Sequence, residues 1–248
     1  MWDKPVALNA ITNVVILTAL LMATYGALHW LMRLPLFPLR EVVVTGTVER
    51  VTLDQMEEIV KREIKGNFFT LDLGVARAGF EKLPWVRKAQ ARKQWPGRLE
   101  VVLEEHAPLA RWGSEALVNT HGELFTAAYD GKLPLFIGPS ISAKEMTIQY
   151  GYFKRSLATI HQAPAQLQLT SRRAWQVKLE SGLVIDWGRE QIEARLDRFV
   201  GVFERTMAHV QHKVTHADLR YANGFSLRTP DLPLKSPDPA RAAPIKRG

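Results

Sequence analysis

The sequence predicts an α+β protein: a single N-terminal transmembrane helix, a β-α-α-β-β unit, and then a larger mixed β domain with two helices. Three observations lead there. Residues 5–32 contain no charged side chain, while the rest of the chain has ordinary soluble composition. Between residues 39 and 105 the apolar spacing alternates between the twofold period of strands and the 3.6-residue period of helices. From 106 to 228, short apolar runs broken by turn residues surround two amphipathic stretches.

The N-terminal run is long enough to span a bilayer. A helix rises 1.5 Å per residue, so about 20 residues cross the roughly 30 Å hydrocarbon layer. The expected span is residues 10–31, centred on Val14 to Ala23, with Tyr25, His29 and Trp30 near one end, where amphipathic rings favour the headgroup zone. Residues 1–9 then form a short cytoplasmic N-terminus. A cleaved signal peptide would need a shorter apolar core and a small-x-small processing site, and Met22-Ala23-Thr24 and Gly26-Ala27-Leu28 match poorly. A helix apolar all round inside a soluble protein would need a large core around it. Flanking charge is nearly balanced, with Lys4 against Asp3 on one side and Arg33 and Arg40 beyond the other. Orientation therefore follows from length: the long C-terminal body is the translocated part.

Leu34-Pro35-Leu36-Phe37-Pro38 closes the 32–38 linker as a stiff, non-helical connector. Leu39 to Val44 reads as a strand ending at Thr45-Gly46. Thr52 with Gln55 makes a capping box for a helix carrying Leu53, Met56, Ile59, Val60 and Ile64 on one face, stopped at Gly66-Asn67. A second helix spans about Asp72 to Lys82. Strands near Trp85 to Gln94 and Leu99 to Glu104 follow, joined through Trp95-Pro96-Gly97. These elements suit a three-stranded sheet with both helices on one side.

In the second region, strands are expected around Leu109–Trp112, Ala116–Asn119, Glu123–Phe125 and Leu133–Ile137, then a helix over 143–161. A hairpin about Ser181-Gly182 joins Ala174–Glu180 to Leu183–Trp187, and its Trp175 and Trp187 suit core packing. Ile192, Leu196, Phe199 and Phe203 mark another helix. Ala217 to Arg228 reads as one last strand with Asn223-Gly224 inside it. Residues 229–248, with five prolines and little apolar surface, read as a disordered tail.

The chain has a formal charge of +8 and no cysteine, which excludes disulfides and thiolate chemistry. Six basic residues and no acid lie between Lys82 and Arg98. Behind an anchor, this run fits a solvated strand face or a docking patch for an acidic partner better than nucleic acid. His209, His212 and His216 raise a metal reading, but no acidic residue lies between Glu204 and Asp218 to complete a shell. Glu57-Glu58 and Glu104-Glu105 are adjacent and point apart on a helix or strand, so solvated charges are expected. The serines form no nucleophile elbow, and no Gly-rich phosphate loop occurs. No catalytic, cofactor-binding or metal residues are expected.

Leu83-Pro84-Trp85-Val86, Arg92-Lys93-Gln94-Trp95-Pro96, Leu109-Ala110-Arg111-Trp112 and Asp218-Leu219-Arg220-Tyr221, in this order behind one anchor, resemble the FtsQ/DivIB family of bacterial cell-division proteins. The resemblance covers residues 10–228. It implies a POTRA domain at 39–105 and a β domain at 106–228. It further implies a non-enzymatic scaffold of the divisome, single-pass in the cell inner membrane with its body in the periplasm, concentrated at the septum and essential for septum formation. The implied partners are FtsB and FtsL in a trimeric subcomplex, with FtsA, FtsK, FtsW, FtsI and FtsN as further divisome contacts and no nucleic acid or cofactor. In such proteins FtsB adds near the C-terminal strand. That carries onto Asp218–Leu227, with Tyr221, Asn223, Gly224 and Phe225 as contacts, and onto Arg172 or Arg173 ahead of the hairpin. The recruitment side of the POTRA unit carries onto Arg92, Lys93 and Trp95. An adaptor of an outer-membrane transport assembly and a membrane-anchored zinc hydrolase are the competing readings.

Overall fold

The computed structural model describes residues 5–34, 37–209, 214–221 and 224–229. The expected tail falls almost wholly outside them, as do Asn223 and His212. Helix α1 runs from Pro5 to Arg33, longer at both ends than the expected span. Its segment Asn9–Arg33 is 25 residues long, none of it buried against the protein, and is long and apolar enough to cross a membrane. The two hydroxyls inside that run are internally satisfied: Thr18 Oγ1 donates to the Val14 carbonyl and Thr24 Oγ1 to the Leu20 carbonyl, both at 2.8 Å. Such back-bonding removes a polar cost that an apolar surrounding would otherwise impose.

The chain divides into two compact units, residues 1–106 and 107–248. In the first, strand β1 (Glu41–Thr47), helices α2 (Leu53–Glu63) and α3 (Leu73–Phe80), and strands β2 (Val86–Gln94) and β3 (Arg98–Glu105) follow the expected β-α-α-β-β order. The sheet order is β1-β3-β2, with β1 parallel and β2 antiparallel to the central β3. Strand β3 alternates cleanly, Leu99, Val101 and Leu103 being buried with Phe80, Ile59 and Ala89 in one core. The capping box forms as expected: Thr52 Oγ1 accepts from Gln55 N–H while the Gln55 side chain accepts from Thr52 N–H.

Two local expectations fail here for identifiable reasons. β1 does not stop at Thr45-Gly46 but runs on to Thr47, because Gly46 at φ 122° stays in register opposite Leu103. A Cβ at that position would collide with the Leu103 carbonyl oxygen, so the ladder requires glycine there. Glu105 is not simply solvated either. Its carboxylate accepts the Arg50 and Val51 N–H groups at 3.0 and 2.9 Å, tying the end of β3 to the start of α2.

The second unit carries strands β4 (Pro108–Trp112), β5 (Ala116–Asn119), β6 (Leu124–Phe125), β7 (Leu135–Ile137), β8 (Pro164–Leu169), β9 (Trp175–Leu179), β10 (Val184–Gly188), β11 (His216–Asp218) and β12 (Ser226–Arg228). Helix α4 (Ala143–Ala158) lies between β7 and β8, and α5 (Ile192–His209) between β10 and β11. The strands form one sheet in the order β12-β11-β10-β9-β8-β7-β4-β5-β6. The parallel pairs β7/β8 and β10/β11 are each connected through one helix, and the parallel pair β4/β7 through β5 and β6. Trp187, Phe153, Phe199 and Phe136 are fully buried in the core between sheet and helices. Trp187 lies 5.3 Å from Phe153 with the rings tilted and meets Phe199 edge-on at 6.0 Å.

β8 is absent from the sequence reading. Its run Pro-Ala-Gln-Leu-Gln-Leu offers few apolar positions, and a bulge between Pro164 and Gln166 breaks their alternation. α4 ends at Ala158 rather than His161, where a left-handed residue (φ 54°) turns the chain and Gln162 N–H bonds back to the Leu157 carbonyl. The expected single strand from Ala217 to Arg228 is instead two three-residue strands, β11 and β12, paired antiparallel.

Because each unit has its own core, Phe80→Ala is expected to cost roughly 3–5 kcal/mol in the first unit. Hydrogen exchange should rise across β2 and β3 and stay unchanged across β8 to β10. Gly46→Ala should give the same pattern through loss of the β1–β3 ladder.

Candidate partner-docking edge

At one end of the large sheet, β12 pairs with β11 through Asp218–Ser226, Ala217–Leu227 and His216–Arg228, and no described strand lies on its other side. An edge of this kind leaves N–H and C=O groups unpaired. Leu227 is half-buried against the core, while Ser226 and Arg228 are exposed.

The sheet register brings the ends of several strands together beside this edge. Gly188 pairs with Trp175, Asp186 with Asp218, and Asp218 with Ser226. Here a cleft of about 840 Å³ opens, with Arg172, Arg189, Arg195 and Arg220 on its walls and Glu190 as the acidic member. The arginines differ in commitment. Arg220 forks onto Asp218, Nε at 2.9 Å from Oδ1 and Nη2 at 2.6 Å from Oδ2, and its backbone N–H caps the same carboxylate at 3.0 Å. Arg195 Nη1 donates to the Trp187 carbonyl at 2.6 Å. Arg172 and Arg189 are exposed and have no hydrogen bond or ion pair among the described residues. Gly188, at φ 77°, makes room for the cleft: a Cβ there would approach Arg195 Nη1 to 2.8 Å and Arg220 Cγ to 3.2 Å.

The expected contact residues separate on this frame. Arg173 is engaged with Glu145 by two bonds of 2.9 and 2.6 Å, whereas Arg172 lines the cleft. Tyr221 is 58% exposed, and a Cβ on Gly224 would meet nothing within 4 Å. Phe225 instead packs edge-on against Phe199 at 5.8 Å, on the core side. Asn223 lies outside the described residues. The sequence reading overlooked Arg189 and Arg195; an arginine just after a strand and another one helical turn into α5 carry no local signal that they converge.

The basic run of the first unit is largely neutralised. Arg87 bonds Glu104 at 2.8 Å, Arg92 forks onto Glu100 at 2.8 and 2.9 Å, Arg98 bonds Glu41 at 2.9 Å and Lys82 reaches Glu63 at 3.3 Å. Gln94 also donates to Glu100. Lys93 donates to the Phe69 carbonyl at 3.0 Å, and Trp95 is exposed within a cluster of rings. Of the three histidines singled out in the sequence, only the His216 side chain is described. His216 Nε2 lies 2.8 Å from Asp186 Oδ2 on the sheet, His212 lies outside the described residues, and no metal-capable cluster occurs among those described.

The Arg220 guanidinium holds the Asp218 carboxyl below the usual carboxylate range, against the opposing effect of burial. A lowered folded-state value makes the pair's contribution complete above pH about 4, the unfolded aspartate value, and lost as pH falls through the lower folded value. With Arg220 mostly exposed, Asp218→Asn is expected to cost about 1 kcal/mol at pH 7. Urea melts should show that difference shrinking toward zero in strong acid.

Comparison with known proteins agrees with this architecture. A family model described as cell division protein FtsQ/DivIB, C-terminal, matches residues 110–220, and one described as POTRA domain, FtsQ-type, matches 37–106. Cell division protein FtsQ of Nitrosospira multiformis is 42% identical over 92% of this chain and 99% of its own length. The Burkholderia pseudomallei protein of the same name is 39% identical over 92% and 94%. That of Bordetella pertussis is 32% identical over the full length of both chains. The chain belongs to the FtsQ/DivIB family of cell division proteins, with an FtsQ-type POTRA domain followed by the FtsQ/DivIB C-terminal domain.

Proposed function

We propose that this protein is a non-enzymatic scaffold of the divisome. Helix α1 anchors it in the cell inner membrane, with a short cytoplasmic N-terminus, the body in the periplasm and the protein concentrated at the septum. There it binds FtsB and FtsL in a trimeric subcomplex and links early division proteins, among them FtsA and FtsK, to the septal peptidoglycan machinery of FtsW, FtsI and FtsN.

One observation carries this reading: among the described residues the outer side of β12 has no strand partner, and it lies beside a cleft holding two arginines, Arg172 and Arg189, without a described partner. An extended segment of FtsB added to β12 gains main-chain hydrogen bonds along the edge, and side-chain contacts set its register. Tyr221 and the open backbone at Gly224 flank its path. Strands lie about 4.8 Å apart, so the cleft over β9 to β11 is only a few strand spacings from the added chain. An acidic side chain next to that segment then reaches Arg172 and Arg189, a charge-assisted contact that favours bidentate carboxylate geometry. In this scheme Arg172 is the docking arginine and Arg173 holds the loop through Glu145.

Tyr221→Ala combined with Gly224→Trp is expected to abolish capture of FtsB in a pull-down while the thermal melt stays unchanged. Unaltered capture would reject strand addition at β12. Arg172→Glu should weaken FtsB binding by about 2–5 kcal/mol and reduce its salt dependence. Arg173→Glu should act mainly on the loop facing Glu145. Lys93→Glu should leave FtsB affinity nearly normal, because it lies in the other unit.

A further inference from the structure

The first unit carries a second exposed apolar surface that the docking edge does not use. Phe37, Phe68, Phe69 and Trp95 form a four-ring cluster. Phe37 meets Phe69 edge-on at 5.0 Å, Phe68 meets Trp95 at 5.6 Å, and Trp95 lies 6.2 and 6.3 Å from Phe37 and Phe69. Only Phe68 is buried; Trp95 is 66% and Phe69 43% exposed. Two large neighbouring rings held open to water on a rigid turn need a cover.

The same turn is fastened to the end of α1. Asn67 is buried, and its Nδ2 donates to the Met32 and Leu34 carbonyls at 2.7 and 2.9 Å, capping the last turn of the helix. Its Oδ1 accepts from Phe69 and Thr70 N–H at 3.0 and 2.9 Å, and Phe68 N–H bonds the Phe37 carbonyl at 2.9 Å. The rings are therefore held at the level of Trp30 to Leu34, where the apolar run meets its first charge, Arg33. The segment Asn9–Arg33 spans about 37 Å at 1.5 Å per residue, more than the roughly 30 Å hydrocarbon layer, so its end reaches the headgroup zone. Of the cations near these rings, Arg92 and Arg98 are held by Glu100 and Glu41 and Lys93 donates to the Phe69 carbonyl, while Arg33, Arg40 and Lys65 have no ion pair among the described residues. A cleft of about 240 Å³ beside the rings is lined by Phe37, Phe68, Trp95 and Arg40. Aromatic rings with adjacent cations are the side chains that settle at a bilayer interface.

We infer that this ring cluster is a membrane-contact surface: Trp95 and Phe69 insert at the phospholipid headgroup–acyl boundary of the bilayer that α1 crosses, clamping the POTRA domain to the membrane. The inference rests on the anchor reading of α1. It assigns Trp95 to lipid, and a protein partner at the same rings is the outcome that would replace it.

The absence of cysteine allows single-site labelling of the full chain. Trp95→Cys, Phe69→Cys, Leu20→Cys and Glu49→Cys, each carrying an environment-sensitive NBD group, are reconstituted in phosphatidylethanolamine–phosphatidylglycerol vesicles with nitroxide lipids. Labels at 95 and 69 should be blue-shifted and lose more than half their emission to a nitroxide near the acyl carbonyls. The label at 49, exposed just past the end of β1 that points away from the rings, should lose almost none. The label at 20 should respond most strongly to a nitroxide deep in the acyl chain. If 95 and 69 behave like 49 while 20 is quenched at depth, the membrane-contact surface is rejected and the anchor stands. If 20 is not quenched, the anchor reading fails and takes this inference with it. Protection of 95 appearing only when a division protein is added would assign the rings to that protein instead and overturn the proposal. Should Phe69→Cys disturb the cluster, Trp95→Cys carries the test alone, since its native side chain lies mostly outside the packing.

Discussion

A β-sheet that ends must leave one row of backbone donors and acceptors without partners, and the second domain is arranged around where that row falls. Helix α5 crosses over so that β11 runs parallel to β10, which places it one position further out rather than folding it back. Among the described residues, only the three of β12 then cover β11. An edge this short cannot template long intermolecular pairing, which limits aggregation, yet it remains able to receive one further strand. The core behind it is rigid: Trp187, Phe199 and Phe225 form a continuous line of ring contacts from the buried centre to the start of β12. The edge is thus held in position by apolar packing, with no described strand on its outer side.

Charge follows a comparable logic of sorting. Read along the chain, the densest cationic run lies at 82–98, and nothing in its composition separates engaged from free groups. In three dimensions Glu41, Glu63, Glu100 and Glu104 take up four of its six cations. The less conspicuous arginines of the second domain converge instead on one cleft, where Arg220 is already held by Asp218 and two others are uncommitted. Exposed ion pairs of the first sort contribute little to stability. Their effect is to reduce the positive field of the first unit's strand face.

The first domain is legible in sequence because its signals are local: a capping box at Thr52, helix faces with a 3.6-residue period, and a short apolar run, Leu99 to Leu103, behind the Trp95-Pro96-Gly97 turn. The second domain was legible only in part. β8 has too few apolar side chains to announce itself, being defined by its neighbours β7 and β9 rather than by its own pattern. The last strand reads as one because Leu219, Tyr221, Phe225 and Leu227 fall at alternate positions through it, while the Asp218–Arg220 bonds just past the end of β11 follow from no spacing rule. The candidate edge residues Tyr221 and Gly224 were found through family resemblance. The choice between Arg172 and Arg173 needed Glu145, 28 residues away from Arg173.

Backbone pairing is nearly blind to sequence, and three residues of β12 fix the register of an added strand only weakly. Specificity at such an edge must therefore come from outside the ladder. In the proposed docking mode the arginine cleft would meet that requirement, because an acidic side chain would reach it at one register and be left unpaired at its neighbours, which costs more than the pair itself contributes. Tyr221 and Leu227 would not supply the same discrimination, since apolar contact tolerates a shift by two residues that returns a similar face to the same place. On that proposal affinity and selectivity are lodged in different parts of one site: the strand edge would supply the first, and the pair Arg172 and Arg189 the second.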